Sequence, residues 1–81
     1  MGRKEKLRER FLSRPSDFRW GELTRFLAGF GYEVKKGTGS RRVFVGDGLP
    51  RIRLHEPHPK PIVKQCYLDQ VRQLLEDEGL L

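Results

Sequence analysis

The sequence predicts an α+β protein with the element order α-α-β-β-β-α, in which helices pack on one face of a three-stranded antiparallel sheet. Apolar residues recur at three- and four-residue steps up to about residue 30, alternate with polar ones between residues 32 and 55, and return to helical steps after residue 64. Glycine-containing segments separate the alternating stretches, as hairpin connections require. Such a meander must bury one apolar face, and the helices are the cover that the chain offers.

The two N-terminal helices are predicted from helical spacing and from the residues that end them. The first covers residues 4–13 and ends before Pro15, because proline disfavours helical geometry in the residue that precedes it. The second covers about residues 20–28, and Gly29 and Gly31 can supply the left-handed cap that closes it. The residues expected on the buried faces are Leu7, Phe11 and Leu12 in the first helix and Trp20, Leu23, Phe26, Leu27 and Phe30 in the second.

The three strands are predicted over residues 32–35, 41–45 and 51–55. A glycine-rich reversal at residues 36–40 joins the first two, and the Gly-Asp-Gly sequence at residues 46–48 turns the chain again. Because successive side chains of a strand point to opposite faces, each strand divides into two sets. The second strand divides into Arg41, Val43 and Val45 against Arg42 and Phe44, and the third into Ile52 and Leu54 against Arg51, Arg53 and His55.

An extended arm and a final helix complete the chain. Residues 56–61, Glu-Pro-His-Pro-Lys-Pro, must run extended because each proline fixes its own φ. The last helix is predicted from about Lys64 to Glu78, and Gly79 closes it. The residues expected to point inward from this helix are Tyr67, Val71, Leu74 and Leu75.

Length and composition limit what the chain can be. Its 81 residues, 36% of them hydrophobic, suffice for one small domain with a modest core. The single cysteine, Cys66, permits neither an internal disulfide nor a thiolate metal cluster. No apolar run approaches the roughly 20 residues of a membrane-spanning helix. The charged N-terminus leads into no apolar signal segment, so we expect no membrane association and a cytoplasmic location.

Positive charge is concentrated in the middle of the chain. The formal net charge is +6, and residues 35–64 alone carry eight basic against two acidic side chains, whereas residues 65–81 are net acidic. A region of this kind suits a polyanion such as nucleic acid, and a solvated basic face without a ligand is the plainer alternative. The region contains no pair of carboxylates that could hold Mg²⁺, so we expect no metal and no other cofactor.

Three short motifs give the sequence a specific resemblance. Residues 39–44, Gly-Ser-Arg-Arg-Val-Phe, open the second strand, His58-Pro59 follows the third, and residues 74–80 end the last helix in Gly-Leu. In order and spacing these resemble the HicA-type (YcfA-like) toxins of bacterial toxin–antitoxin systems. That family has Gly-Ser-x-His with an aromatic residue two positions on, then His-Pro, then Gly-Leu. The similarity covers about residues 20–81, and residues 1–19 form an N-terminal helical extension within a single domain.

The resemblance implies a fold like the double-stranded-RNA-binding domain, metal-independent cleavage of mRNA, and neutralisation by a HicB-like antitoxin protein. The family's catalytic histidine aligns with Arg42. A guanidinium can hold a phosphate and stabilise developing charge, but its pKa above about 12 prevents it from acting as a base. We expect Arg42 to present its side chain outward and therefore to keep only the electrostatic part of that role.

Two histidines are candidates for the missing proton transfer. His58 matches the family's His-Pro position, and His55 shares the basic strand face with Arg51 and Arg53. An imidazole exchanges protons near neutral pH, so either could act as general acid or base; both could equally be exposed residues without a catalytic role. Tyr32 and Phe44 are expected in the core rather than stacked on bases. The candidate RNA-binding residues are Lys36, Ser40, Arg41, Arg42, Arg51, Arg53, Lys60 and Lys64.

The sequence therefore leaves three functions open. The first is a HicA-like toxin component that binds mRNA, with or without endoribonuclease activity. The second is a non-catalytic RNA-binding or regulatory domain on the same fold, favoured by Arg42 at the motif histidine position. The third is a protein-interaction module whose basic face docks an acidic partner. Ordinary double-stranded-RNA binding is disfavoured, because only Lys60 and Lys64 remain of the basic cluster at the start of that fold's last helix.

Overall fold

The computed structural model describes residues 3–81, with side chains from residue 5 onward. Residues 1 and 2 of the predicted N-terminal extension lie outside the described residues. No helix in the described part of the chain is both long and apolar enough to cross a membrane. In chain order, the elements are α1 (Arg3–Leu12), α2 (Trp20–Ala28), β1 (Glu33–Lys36), β2 (Arg41–Val45), β3 (Ile52–His55) and α3 (Gln65–Asp77).

The α+β class and the three-stranded antiparallel sheet are confirmed, with strand order β1-β2-β3. The register places Phe44 opposite Ile52 and Arg42 opposite Leu54. Phe44 and Ile52 are each 1% exposed, so this face of the sheet is the one that the helices cover. We call the opposite face the outer face. Its exposed basic residues and histidine are Lys35, Arg41, Arg53 and His55, with Arg51 immediately before β3.

The N-terminal extension belongs to the same core as the sheet. Phe11 of α1 stacks on Phe26 of α2 with their ring centroids 4.4 Å apart, and it meets Phe18 edge-on. Trp20 in turn contacts Phe44 of the sheet, with ring centroids 5.5 Å apart. Phe11 and Phe18 are 2% and 0% exposed, so burying these rings stabilises α1 against the rest of the domain.

Two arginines tie the extension to the other helices. Arg10 donates from Nε to Glu22 at 2.6 Å, and the same carboxylate accepts the backbone N–H of Arg19 at 3.1 Å. The hydrogen bond from Arg10 lowers the pKa of Glu22. Arg14 makes two hydrogen bonds to Asp69 of α3, at 2.7 and 2.8 Å, and these lower the pKa of that carboxyl. The planar guanidinium suits such paired contacts with a carboxylate.

The buried face of α3 includes Val71 and Leu75 as predicted, and also Leu68, which was not predicted. These fully buried residues follow one another at helical steps. Tyr67 and Leu74 were predicted to point inward, but both are only half-buried. The apolar arc of this helix is wider than the surface it packs against, so residues at the arc's edge remain partly open to solvent.

Truncation of core residues tests this packing on both sides of the predicted family boundary. Phe11→Ala should lower the free energy of unfolding by about 3–5 kcal/mol and Ile52→Ala by about 2–5 kcal/mol, measured by urea denaturation. Leu74→Ala, at a half-buried site on the same core, should lower the free energy of unfolding by less than either of these substitutions. A Phe11→Ala protein that unfolds like the parent would contradict the assignment of α1 to the core.

Candidate nucleic-acid interface

One open cleft gathers half of the residues that the sequence singled out. It lies where the end of β3, the arm at residues 56–61 and the start of α3 meet, and its volume is about 470 Å³. Its wall is mostly apolar. The lining residues are Ser40, His55, Glu56, Pro57, His58, Pro59, Lys60, Ile62, Lys64 and Tyr67.

The arm that carries His58 is held at both of its ends. At the start, the backbone N–H of Glu56 donates to the carbonyl of Ser40 at 2.8 Å. At the end, the N–H of Trp20 donates to Pro61 O at 2.9 Å, and the N–H of Val63 donates to Phe18 O at 2.7 Å. The segment between these anchors includes the cis His58–Pro59 peptide. The chain just before α2 therefore helps to position His58.

Ser40 and His55 are paired at the sheet end of the cleft. Ser40 Oγ lies 3.2 Å from His55 Nδ1, and because a hydroxyl can donate or accept, either neutral tautomer of the imidazole satisfies the contact. Nε2 is then the ring nitrogen left for a ligand. The turn before β2 places Ser40 here: Arg41 N–H donates to Thr38 O at 3.1 Å, and Gly39 takes a φ of +62°, which glycine adopts without steric cost.

Arg42 does not present its side chain outward, and the prediction that it does is wrong. It lies on the helix-covered side of β2, as the alternation with Phe44 indicates, and its side chain is 14% exposed. Its Nε donates to Glu56 Oε1 at 3.0 Å, while Nη1 donates to the carbonyls of Gly39 and Arg41 at 2.8 and 2.7 Å. The guanidinium thus joins the β1–β2 turn to the start of the arm. We call this set of contacts the Arg42 clamp.

The other predicted binding residues fall into three places. Arg41 and Arg53 of the outer face line an open depression of about 390 Å³, which Arg42 also borders and which adjoins the cleft through His55. Arg51 lies further along the same face. Lys36 is opposite Arg42 in the register and so lies away from the outer face. The remaining predicted residues line the cleft; they are Ser40, His55, His58, Lys60 and Lys64.

Two residues of this region were not identified as site residues from the sequence. Glu56 was noted only as the first residue of the arm, and its contact with Arg42 depends on the register of β2 and β3. Tyr67 was expected in the core, yet it lines the cleft three positions after Lys64. Its place at the edge of the apolar arc of α3 was the available signal. Cys66, beside it, is a free and exposed thiol.

Substituting the two adjacent arginines one at a time should distinguish the structural role of Arg42 in the clamp from the exposed position of Arg41 on the outer face. Arg42→Ala should lower the free energy of unfolding by about 1–3 kcal/mol, since it leaves two backbone carbonyls and a carboxylate without their charged donor. Amide hydrogen exchange should rise in residues 37–41. Arg41→Ala, at an exposed site one position away, should change stability by less than about 0.5 kcal/mol.

The partner of Arg42 provides a second check on the clamp. The effects of Arg42→Ala and Glu56→Gln should not add, because both remove the same ion pair. Additive effects, or equal losses from Arg41→Ala and Arg42→Ala, would contradict the clamp.

Residues 3–81 contain no group of three or more histidine, cysteine, aspartate or glutamate side chains placed to hold a metal ion. No family model, no curated protein and no solved structure matches the chain. The resemblance to the HicA-type family therefore stays a prediction from the motifs.

Proposed function

We propose that the protein is a HicA-like toxin component that binds mRNA across its outer face and cleaves it in the cleft without a metal ion. The observation that supports this most is the arrangement of the cleft, which brings His55 and His58 together with Ser40, Lys60 and Lys64. The arginines of the outer face lead directly into it, so a bound polyanion would pass both histidines. A HicB-like antitoxin is the proposed protein partner.

The order α2-β1-β2-β3-α3 and the helix-covered sheet are what a fold like the double-stranded-RNA-binding domain would require. Within that likeness, the proposed interface differs from the usual one. The basic residues lie on the open face of the sheet, where Arg41 and Arg53 flank Val43. Contacts from arginine and lysine to phosphates carry no sequence information directly, and we propose that such contacts dominate, so that binding depends on charge more than on sequence.

Cleavage needs one group to take the proton of a ribose 2′-hydroxyl and another to protonate the leaving 5′-oxygen. Attack of the 2′-oxygen on phosphorus then breaks the P–O5′ bond and leaves a 2′,3′-cyclic phosphate. Imidazoles can fill both roles near neutral pH, and His55 has Nε2 left for the substrate. Lys60 would stabilise the charge that develops on the phosphoryl oxygens. Arg42 has no part in this chemistry, because the clamp engages it.

Non-catalytic RNA binding is the second candidate, and the Arg42 clamp favours it. The residue that aligns with the family's histidine holds the β1–β2 turn to the arm and is 14% exposed, so that position serves the structure. In this case the outer face and cleft bind RNA, and the histidines contribute contacts only. A docking surface for an acidic protein is the third, and it would use the same arginines.

The binding proposal is tested by the salt dependence of RNA affinity. The logarithm of the association constant should fall with the logarithm of salt concentration by about 0.7 per neutralised phosphate on single strands. Arg41→Glu with Arg53→Glu should weaken binding to every RNA and flatten this slope. Arg8→Glu with Arg25→Glu, an equal charge change on the α1–α2 surface, should have a smaller effect. No RNA binding at low salt, with retained binding of an acidic protein, would favour the docking module.

The enzymatic proposal is tested with purified protein and mRNA in EDTA. The parent should cleave and leave 2′,3′-cyclic phosphate ends, and expression of the chain alone should arrest growth. His55→Ala or His58→Ala should reduce the cleavage rate by about 10²–10⁴-fold, the usual effect of losing one general acid or base. A parent that binds RNA but leaves it intact would establish the non-catalytic candidate. Full activity in both histidine variants would contradict the assignment of the proton transfers.

A further inference from the structure

We propose that the cleft is a subsite for one unpaired nucleotide, with its base against the ring of Tyr67 and its phosphate beside Lys64 and Lys60. The preferred ligand is therefore single-stranded RNA. This inference rests on the proposed RNA function and specifies which form of RNA the site takes. Four features of the cleft support it: its size, the chemistry of its wall, the spacing of Lys64 and Tyr67, and the presence of Glu56.

The size and wall of the cleft suit a nucleotide better than a whole helix. Pockets for small ligands occupy about 300–1,000 Å³ and combine apolar walls with a few polar groups, and this cleft has about 470 Å³. Pro57, Pro59, Ile62 and Tyr67 supply apolar surface, which fits the flat faces of a base. A base can present those faces to a protein only when it has left the stack of a duplex.

Tyr67 is the aromatic residue that lines this cleft. Tyr32 and Phe44 are 5% and 1% exposed, which confirms the prediction that they lie in the core and leaves them unavailable for stacking on a base. Tyr67 is half-buried, so one part of its ring packs against the core while the rest borders the cleft. A ring fixed in this way is well suited to stacking, because little side-chain freedom remains to be lost on binding.

Lys64 and Lys60 are placed to hold the phosphate of a nucleotide whose base lies on Tyr67. Lys64 is the N-cap residue of α3, and residues three apart at a helix start lie on the same side of the helix. Its ammonium can therefore reach a phosphate whose base lies on Tyr67. Lys60 comes from the arm, so the two lysines approach the cleft from different elements. Both are exposed, as residues that meet a phosphate backbone should be before binding.

Glu56 favours RNA over an acidic peptide in the same cleft. Its Oε1 is engaged by Arg42, and the carboxylate is part of the cleft wall. This charge repels any anion, a nucleotide phosphate as much as a peptide carboxylate, so the phosphate belongs beside Lys64 and Lys60, away from Glu56. An ionised acidic side chain offers Glu56 no hydrogen-bond donor. The amino and imino groups of a base are hydrogen-bond donors, which Glu56 can accept. A nucleotide therefore complements both the basic and the acidic parts of the wall.

The test compares the parent with variants that change only the stacking surface. The probe is a short single-stranded oligoribonucleotide that carries 2-aminopurine, whose fluorescence is quenched by stacking on an aromatic ring. Tyr67→Leu should weaken binding by about 5- to 150-fold, the range for loss of one base–aromatic stack, and should relieve the quenching. Tyr67→Phe, which keeps the ring, should restore both. The parent should bind this strand more tightly than a duplex of the same length.

Matched charge variants test the phosphate contact. Lys64→Gln should weaken binding and lower the salt slope, whereas Arg72→Gln, which removes the same charge from the exposed side of α3, should do neither. Arg72 is ion-paired with Glu76 at an exposed site, so its loss should cost little stability. Circular dichroism of each variant identifies any that fail to fold, and Tyr67→Leu is then compared with Tyr67→Phe only at equal folded fraction.

The outcomes separate this inference from the proposed function. If RNA binds with a strong salt dependence but Tyr67→Leu matches Tyr67→Phe, or if duplex binds as tightly as single strand, the nucleotide subsite is wrong while RNA binding stands. If the parent does not bind RNA at low salt, the proposed function fails as well. If an acidic peptide binds in place of the oligonucleotide and depends on Lys64, the cleft belongs to a protein partner and the inference is overturned.

Discussion

Proline at every second position of residues 56–61 is the constraint on which the cleft depends. Pro57, Pro59 and Pro61 lack an N–H, so the arm cannot continue the ladder of β3 as a further strand. The chain instead leaves the sheet. Its backbone is held by the N–H groups on either side of the prolines, that of Glu56 before them and that of Val63 after them. The space between the arm, the sheet and α3 is the cleft, and both histidines border it because the arm cannot close against the sheet.

The two arginines at the start of β2 illustrate how one residue step divides structure from interface. Arg41 and Arg42 have the same side chain and adjacent positions, yet the pleat sends them to opposite faces. Arg41 remains exposed on the outer face, while Arg42 satisfies two backbone carbonyls and a carboxylate near the edge of the core. The two residues contribute the same charge to the sequence. Only their burial and partners show that one is available to a ligand and that the other maintains the shape of the turn.

Local pattern predicted the parts of the molecule that local forces determine. The alternation along β3 correctly separated Ile52 and Leu54 from Arg53 and His55, because successive side chains of a pleated strand point to opposite faces of the sheet. Which residues of α3 are fully buried could not be predicted in the same way. Its apolar residues span an arc that several packings could bury, and the packing of the whole core decides that Leu68 lies inside and Tyr67 at the edge. The Arg42–Glu56 pair and the Phe18–Val63 hydrogen bond join residues 14 and 45 positions apart, so both depend on tertiary structure.

The backbone bonds between residues 18–20 and 61–63 connect the cleft to the segment that joins α1 to α2. Opening of α1 would withdraw Phe11 from its contact with Phe18, whose carbonyl holds the end of the arm through the N–H of Val63, and so would loosen that anchor. The ordered cleft and the docked α1 are therefore linked equilibria, and a ligand that binds only the ordered cleft also protects α1 from local unfolding. The same linkage runs in reverse: a change that loosens α1, far from any bound phosphate, lowers the fraction of molecules able to bind.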